Sequence, residues 1–309
     1  MNSPAAIHAM LDALCLEAGA IAWGVAEAGP VADADNRLYD AWLARGAHGP
    51  LAYMERNGAV RRDPRLLLDG ARSIVVLAFA IRQRRHSSHI ADFALGSDYH
   101  DVLRARLRPV AEAIEAEFGG ATRICVDSAP LRERYWAERA GVGKCGLNGR
   151  LIVPGYGSDV LLAEVLAEAL LPPTPQSAEI FCVGCRRCVD ACPVGALDGC
   201  GGVDAGRCLA CATIELRGPL PPGTRLHGRL AGCDTCGRVC PLNAQAVAIE
   251  PLPELQPREA VLALTPAAAA ALDAGEFARI FRGSAVKRLK LEGLHRNALH
   301  IINEETIHN

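Results

Sequence analysis

Apolar residues recur at helical spacing over residues 4–18 and stop at Gly19, which predicts an opening amphipathic helix. Residues 21–25 then read as a short strand. Helical patterning returns over 35–45, where Gly46 halts it, and again over 49–57, while Asp63 and Pro64 cap a short turn that reaches Leu68. Residues 73–81 are β-branched and continuously apolar, the pattern of a central strand covered on both faces. The polar stretch 82–97 predicts an irregular, mobile loop beside a ligand. A long amphipathic helix follows from Asp98 to Phe118, ended by Gly119 and Gly120. A strand over 122–126 delivers Asp127 to its C-terminal edge, ahead of a helix over 131–140. The glycine-rich stretch 141–149 has neither the order nor the context of a phosphate-binding loop. Residues 151–153 and 159–166 predict a hairpin around Pro154-Gly155-Tyr156-Gly157. Pro172, Pro173 and Pro175 mark a boundary, and 251–257 a linker. Short helices near 257–263, 266–273 and 276–282 precede a final helix from Ser284 to about Thr306.

With 309 residues, half of them apolar, the chain buries a large core and is expected to form two interlocked domains. The apolar stretches 74–81 and 160–171 are too short to span a bilayer or are broken by Glu164 and Glu168. The N-terminus lacks the basic flank and apolar run of a secretory signal, so a cytoplasmic location is expected. A net charge of −2 removes the bulk signature of a nucleic-acid binder. Basic groups cluster locally at Arg61, Arg62 and Arg65, at Arg82, Arg84 and Arg85, and at Lys287, Arg288, Lys290 and Arg296. Such clusters are usually solvated faces.

The cysteines change the picture. Cys182, Cys185, Cys188 and Cys192, the last followed by Pro193, make the run C-x2-C-x2-C-x3-C-P. In that run three thiolates hold one [4Fe-4S] cluster and the fourth reaches across to a second. Cys233, Cys236 and Cys240-Pro241 repeat the pattern with one cysteine missing. The crossing therefore gives Cys182, Cys185, Cys188 and Cys240 to one cluster, and Cys192, Cys233 and Cys236 to the other. Cys208, just after a predicted turn and helix start, is our choice to complete the second, with Cys211 a competitor and Cys200 in a glycine-rich loop. Paired C-x2-C elements also build zinc sites, but the C-P ending of both halves favours iron and sulfide. A disulfide framework does not suit a reduced compartment.

Two clusters move electrons, and the N-terminal 170 or so residues must hold their acceptor. Gly46-Ala47-His48-Gly49, Ala52-Tyr53-Met54, Arg61-Arg62-Asp63-Pro64 and Asp98-Tyr99-His100 occur in an informative order. Val126-Asp127-Ser128, Ala137-Glu138-Arg139-Ala140-Gly141 and Pro154-Gly155-Tyr156-Gly157-Ser158 follow. With both cysteine runs, Thr213-Ile214-Glu215, Gly283-Ser284-Ala285-Val286-Lys287-Arg288 and Arg296-Asn297-Ala298, this ordered set resembles the epoxyqueuosine reductases over nearly the whole chain. The resemblance implies an α/β (α+β) architecture in three parts: a cobalamin-binding domain with a nitroreductase-like sheet over 1–172, a ferredoxin-like double [4Fe-4S] domain over 173–250, and C-terminal helices over 251–309.

It further implies a monomeric enzyme that uses cobalamin and an unidentified electron donor to reduce epoxyqueuosine in tRNA to queuosine. Asp127 corresponds to the family's candidate general acid, and a carboxyl beside an apolar corrin is expected to have a raised pKa. Residue chemistry alone reads the same Asp127 as a helix cap. Arg61 corresponds to a cobalamin-contacting arginine, and Leu151 and Val153 to positions whose backbone approaches the corrin. His100 is left out of the metal set, since the family resembles binders without a protein ligand to cobalt. Cys211 stands where an aromatic residue is usual, Lys144 and Leu147 depart from the common loop, and the helical-repeat tail of some relatives is missing. Two other readings of the motifs are a corrinoid iron–sulfur reductase of a small molecule and a non-catalytic two-cluster electron carrier.

Overall fold

The computed structural model describes residues 3–176 and 181–308. Helix α1 (Pro4–Glu17) is capped by Ser3, whose side chain accepts from Ala6 N. Strand β1 (Ala22–Glu27), helix α2 (Asp33–Ala44), helix α3 (Gly58–Arg62), strand β2 (Ser73–Ala80), helix α4 (Tyr99–Phe118), strand β3 (Thr122–Cys125) and helix α5 (Glu133–Arg139) follow. Then come β4 (Lys144–Cys145), β5 (Leu151–Ile152) and β6 (Val160–Ala167). Four short helices occupy the cysteine region: α6 (Arg187–Asp190), α7 (Leu209–Ile214), α8 (Thr235–Arg238) and α9 (Pro241–Ala244). The chain closes with α10 (Glu259–Leu262), α11 (Pro266–Ala271), α12 (Ala274–Ile280) and α13 (Lys290–His308).

The main sheet has the order β1-β2-β6-β3, antiparallel throughout. As its unbroken apolar run predicts, β2 is covered on both sides. Val75, Leu77 and Phe79 face the layer of α1 and α4, with Leu11, Leu103 and Leu107. Ile74, Val76 and Ala78 face α5, with Trp136 and Ala137. Strand β6 alternates the same way, Ala163 and Val165 toward one layer and Leu162 and Leu166 toward the other. A third core joins Ile90, Ala94 and Leu95 to Leu209, Leu230, Phe281 and the inner face of α13. The N-terminal and C-terminal segments are thus interlocked. Ala205 N donates to Ala47 O, and a side chain on Gly49, which sits at φ 53°, would place its Cβ 2.4 Å from Gly206.

Four expectations need correction. Residues 49–57 form consecutive turns, and helix starts only after Asn57, whose φ of 60° is left-handed and stops any earlier helix from running through. Strand β5 pairs with β4, while β6 is inserted between β2 and β3. Only the bridge Val153 to Gly157 remains of the expected hairpin, because Gly155 and Gly157, both at φ 77°, close a tight turn there. The last helix is interrupted: Ser284 caps a 3-10 turn (Ala285–Leu289), and α13 begins at Lys290 with φ 57°. Residues 82–97 are irregular but pinned. Gln83 and Ser87 are buried with hydrogen bonds to the Leu255 carbonyl and from the Ile90 amide, and Ile90 bridges to Ala231.

The β1–α5 contact is a close one that tolerates no side chain. A Cβ on Gly24 would lie 2.0 Å from the Ala140 carbonyl oxygen. Gly24→Ala is expected to lower the unfolding free energy by about 1–3 kcal/mol through overpacking, measured by urea denaturation.

Candidate active site and thiol clusters

The turn after β3 carries the first group of functional side chains. Ser128 N donates back to Val126 O, and Asp127 between them has φ 52°, a left-handed conformation that Asp tolerates better than most residues. The tight turn lifts the Asp127 side chain off the sheet edge, where it stays 59% exposed. Tyr99 Oη donates to Asp127 Oδ2 at 3.0 Å. His100 Nε2 donates to the same oxygen at 3.0 Å, and its Nδ1 donates to Asp98 Oδ1 at 2.7 Å. Asp98 is in turn the N-cap of α4, so the helix start orients the imidazole. The Tyr99 and His100 rings stack with centroids 4.1 Å apart. On the other side, Asp127 N donates to Glu133 Oε1 at 2.7 Å.

These contacts fix the charges. Burial disfavours the His100 cation, but its hydrogen bonds to Asp127 and Asp98 and their charges outweigh this and push its pKa up from 6.5 to about 9. Burial would raise Asp127. The hydrogen bond and charge of His100, the Tyr99 hydroxyl and the charge of Arg288 hold it below the usual carboxylate range instead. The expected raised pKa of Asp127 is therefore wrong for this arrangement: the proton resides on His100, which faces two carboxylates. The helix-cap reading of Asp127 also fails. The N-cap of α5 is Arg132, and Asp127 lies well before it. Both His100 nitrogens are engaged by carboxylates.

Two further residues reach Asp127 that the sequence did not mark as part of its site. The Tyr53 hydroxyl is pushed up to about 12 by burial and by the charges of Glu215 and Asp127. Arg288, on the 3-10 turn before α13, is held by Glu215 through bonds of 2.6 and 2.7 Å. The turn at residues 49–57, the start of α4, the β3–α5 loop and the C-terminal segment thus converge on one place. Only their positions in the motif stretches pointed to them.

Arg61 sits on α3, 8% exposed, with its Nε buried and without a hydrogen-bond partner. It lies within electrostatic reach of Tyr39, whose ring Arg132 covers at 5.2 Å. Such an orphaned buried donor fits a ligand rich in amide carbonyls or phosphate oxygens, as a corrinoid is. Leu151 and Val153 point their side chains into the core with Trp136 and Leu131, at 3% and 1% exposure. Only their backbone is left to meet a ligand.

The thiols gather as two sets. Cys182, Cys185, Cys188 and Cys240 line one recess, walled by Leu147, Ile152 and Leu242. Cys208 lies within electrostatic reach of Cys233 and Cys192, and Cys236 of Cys233 and Cys208. Cys211, one turn into α7, has only Cys208 among thiols and otherwise Glu215 beside it. The grouping fits two four-thiolate clusters with the crossing read from the spacing. Among the described residues no three Cys, His, Asp or Glu side chains close on a single point. Thiols around a cluster enclose a volume, as Cys182, Cys185, Cys188 and Cys240 do here.

Residues 61–128 match the family model "Epoxyqueuosine reductase QueG, DUF1730", and residues 181–243 the "4Fe-4S double cluster binding domain". An epoxyqueuosine reductase of Cyclobacterium marinum is 35% identical over 294 residues, covering 91% of this chain and 92% of the relative. The chain belongs to the epoxyqueuosine reductase family. A relative so named from Synechococcus sp. (strain RCC307) is 39% identical over 262 residues, 81% of this chain and 78% of its own. The crystal structure of a selenomethionine-labelled epoxyqueuosine reductase superposes with a TM-score of 0.87 at 30% identity, covering 97% of this chain and 82% of that one. Another, crystallised with an epoxyqueuosine-modified tRNA stem loop, gives 0.86 with the same identity and coverage. The first matched segment holds Arg61, Tyr99, His100 and Asp127, and the second holds the eight assigned cysteines.

The two thiol sets generate a direct expectation. Anaerobically reconstituted protein should carry about eight irons and eight labile sulfides. Cys208→Ala should lose the signal of one cluster in iron analysis and electron paramagnetic resonance, while Cys211→Ala keeps both. The reverse outcome would move the fourth ligand to Cys211.

Proposed function

We propose that this chain reduces epoxyqueuosine to queuosine at the wobble position of tRNA, the last step in forming that nucleoside. The observation that carries the reading is the exposed Asp127 carboxylate, clamped by the His100 imidazole and the Tyr99 hydroxyl, on a chain that also carries two four-thiol sets. In this reading the corrinoid lies over residues of the 1–172 domain, with Arg61 donating to it and the Leu151 and Val153 backbone against it. Cys182, Cys185, Cys188 and Cys240 hold one [4Fe-4S] cluster in the 173–250 domain, and Cys192, Cys208, Cys233 and Cys236 the other. The segment 251–309 packs on both and brings Arg288 to the site. The enzyme acts on tRNA as a cytoplasmic monomer and takes electrons from a separate donor. Among the described residues no helix is long and apolar enough to cross a membrane.

Loss of the epoxide oxygen as water consumes two electrons and two protons. Cobalamin and the clusters, when bound, supply the electrons and a cobalt centre able to act on the substrate carbon. The chain's own side chains handle the protons. The proton on His100 Nε2 passes to Asp127 and from Asp127 to the oxygen as its bond to carbon breaks. Asp98 on Nδ1 and the stacked Tyr99 ring keep the imidazole aimed throughout. The carboxylate is thus a conduit that becomes an acid only when His100 loads it.

Three measurements test this. A strain lacking the gene should accumulate epoxyqueuosine in its tRNA, and unchanged queuosine would sink the proposal. Asp127→Asn, nearly isosteric, should keep iron and cobalamin while turnover falls by about 10² to 10⁴. The His100 pKa is raised in the fold, so the cation and the stability it gives are complete below pH 6.5 and lost as pH rises through about 9. Turnover should fall along that limb, and His100→Gln should abolish the limb. Near-normal turnover of Asp127→Asn would remove Asp127 as the donor.

A further inference from the structure

Arg150 directly precedes β5, and its side chain reaches across to α8, the short helix that carries Cys236. Gly237 follows that cysteine, and the room left by its missing side chain is filled. A Cβ there would collide with Arg150 Nη1 and lie 2.8 Å from Asp159 Oδ1. The φ of Gly237 is not positive, so space rather than backbone conformation explains the glycine. Arg150 Nη1 pairs with Asp159 Oδ1 at 3.0 Å, the two side chains being 24% and 17% exposed. The buried Asn243 fixes this arrangement: its Nδ2 donates to the Gly237 carbonyl at 2.9 Å, and its Oδ1 accepts from Ser158 N at 2.6 Å. The segment that carries Asp159 is thereby tied to the helix that carries Cys236.

A polar chamber of about 230 Å³ opens beside the pair, and the other guanidiniums in its wall are turned elsewhere. Arg238 faces Asp92 at 3.6 Å and Asp234 at 3.7 Å, and Arg82 donates to the Asn243 carbonyl. Burial pushes the Cys236 thiol up to about 11, and the Arg150 charge is the first influence against that rise, ahead of Cys233, Cys208 and Asp234, which add to it. A [4Fe-4S] cluster gains one negative charge when it takes an electron, and the charge around it helps to set its potential. A guanidinium lodged on the residue after a ligand favours the reduced state. We infer that Arg150, steadied by Asp159, raises the reduction potential of the cluster held by Cys192, Cys208, Cys233 and Cys236. An electron leaving the first cluster then settles on the second; one is oxidised as the other is reduced, and no bond or proton moves. The inference rests on the cluster assignment above. Arg150 is a positioning residue that acts through the cluster and touches no substrate.

Potentiometric titration of the anaerobically reconstituted full chain, followed by electron paramagnetic resonance, tests this without substrate. The second cluster's signal is the one that Cys208→Ala removes. At a fixed poise, Arg150→Gln should lower the ratio of reduced to oxidised second cluster about tenfold, a shift of about 59 mV for one electron, and leave the first cluster as in wild type. Asp159→Asn removes the counter-charge and should move the same ratio the opposite way, while Arg150→Lys should keep it close to wild type. An ion pair that only ties two segments together is lost equally in Arg150→Gln and Asp159→Asn, so the opposite signs separate charge from tie. Unchanged potentials in both variants, or shifts in one direction, would overturn the inference. Should Arg150→Gln fail to assemble the cluster, Asp159→Asn and Arg150→Lys still decide it. Wild-type protein lacking a second four-iron cluster would overturn the assignment and the role of Arg150 together, a failure that iron analysis reveals before any potential is measured.

Discussion

Strand β6 can lie under apolar layers on both faces only because β2 and β3 complete its hydrogen bonds along both edges. An unpaired amide at that depth would cost as much as a lost hydrogen bond, so the ladder has no tolerance for slippage. A shift of one residue would exchange its two faces and move Glu164 from the α5 layer to the α4 layer. Register therefore does two things at once. It sorts apolar side chains between layers, and it holds one acid behind the β3–α5 loop.

Electrostatics at the site follow from that frame. Asp98, His100 and Asp127 alternate in sign along a line of hydrogen bonds, each charge favouring the next. Glu133 and Glu164 lie on the other side of Asp127, no cation among the described residues acts on Glu164, and ionising either would cost several kcal/mol of desolvation. The same residue, Asp127, is thereby stabilised as an anion by its outer neighbours and discourages ionisation of its inner ones. Arg288, held by Glu215, adds positive charge from the C-terminal segment and strengthens the first of these effects.

Local features were legible in the sequence, and non-local ones were not. The run over β2 announced a strand covered on both faces because continuous apolarity is a property of the segment itself. Cysteine spacing announced a double-cluster domain for the same reason. The choice between Cys208 and Cys211 depends on the direction in which a short helix presents each thiol. The fate of β6 depends on partners far away in the chain, so the hairpin read from Pro154 to Gly157 gave way to insertion between β2 and β3. Asp127 was found through its motif, but its charge state was misjudged, since Tyr99 and His100 reach it from the far end of α4. Glu164 was seen only as a charge that interrupts an apolar stretch.

The convergence of distant segments on Asp127 has a consequence for the making of the protein. Tyr53, Asp127 and Arg288 leave the ribosome at widely separated times, and the third core cannot close before the inner face of α13 is available. Until then the Ile90–Leu95 stretch has no cover, and the cysteines emerge ahead of the helices that wall them in. Closure of the third core, and with it the arrival of Arg288 beside Asp127, is therefore a late event in synthesis.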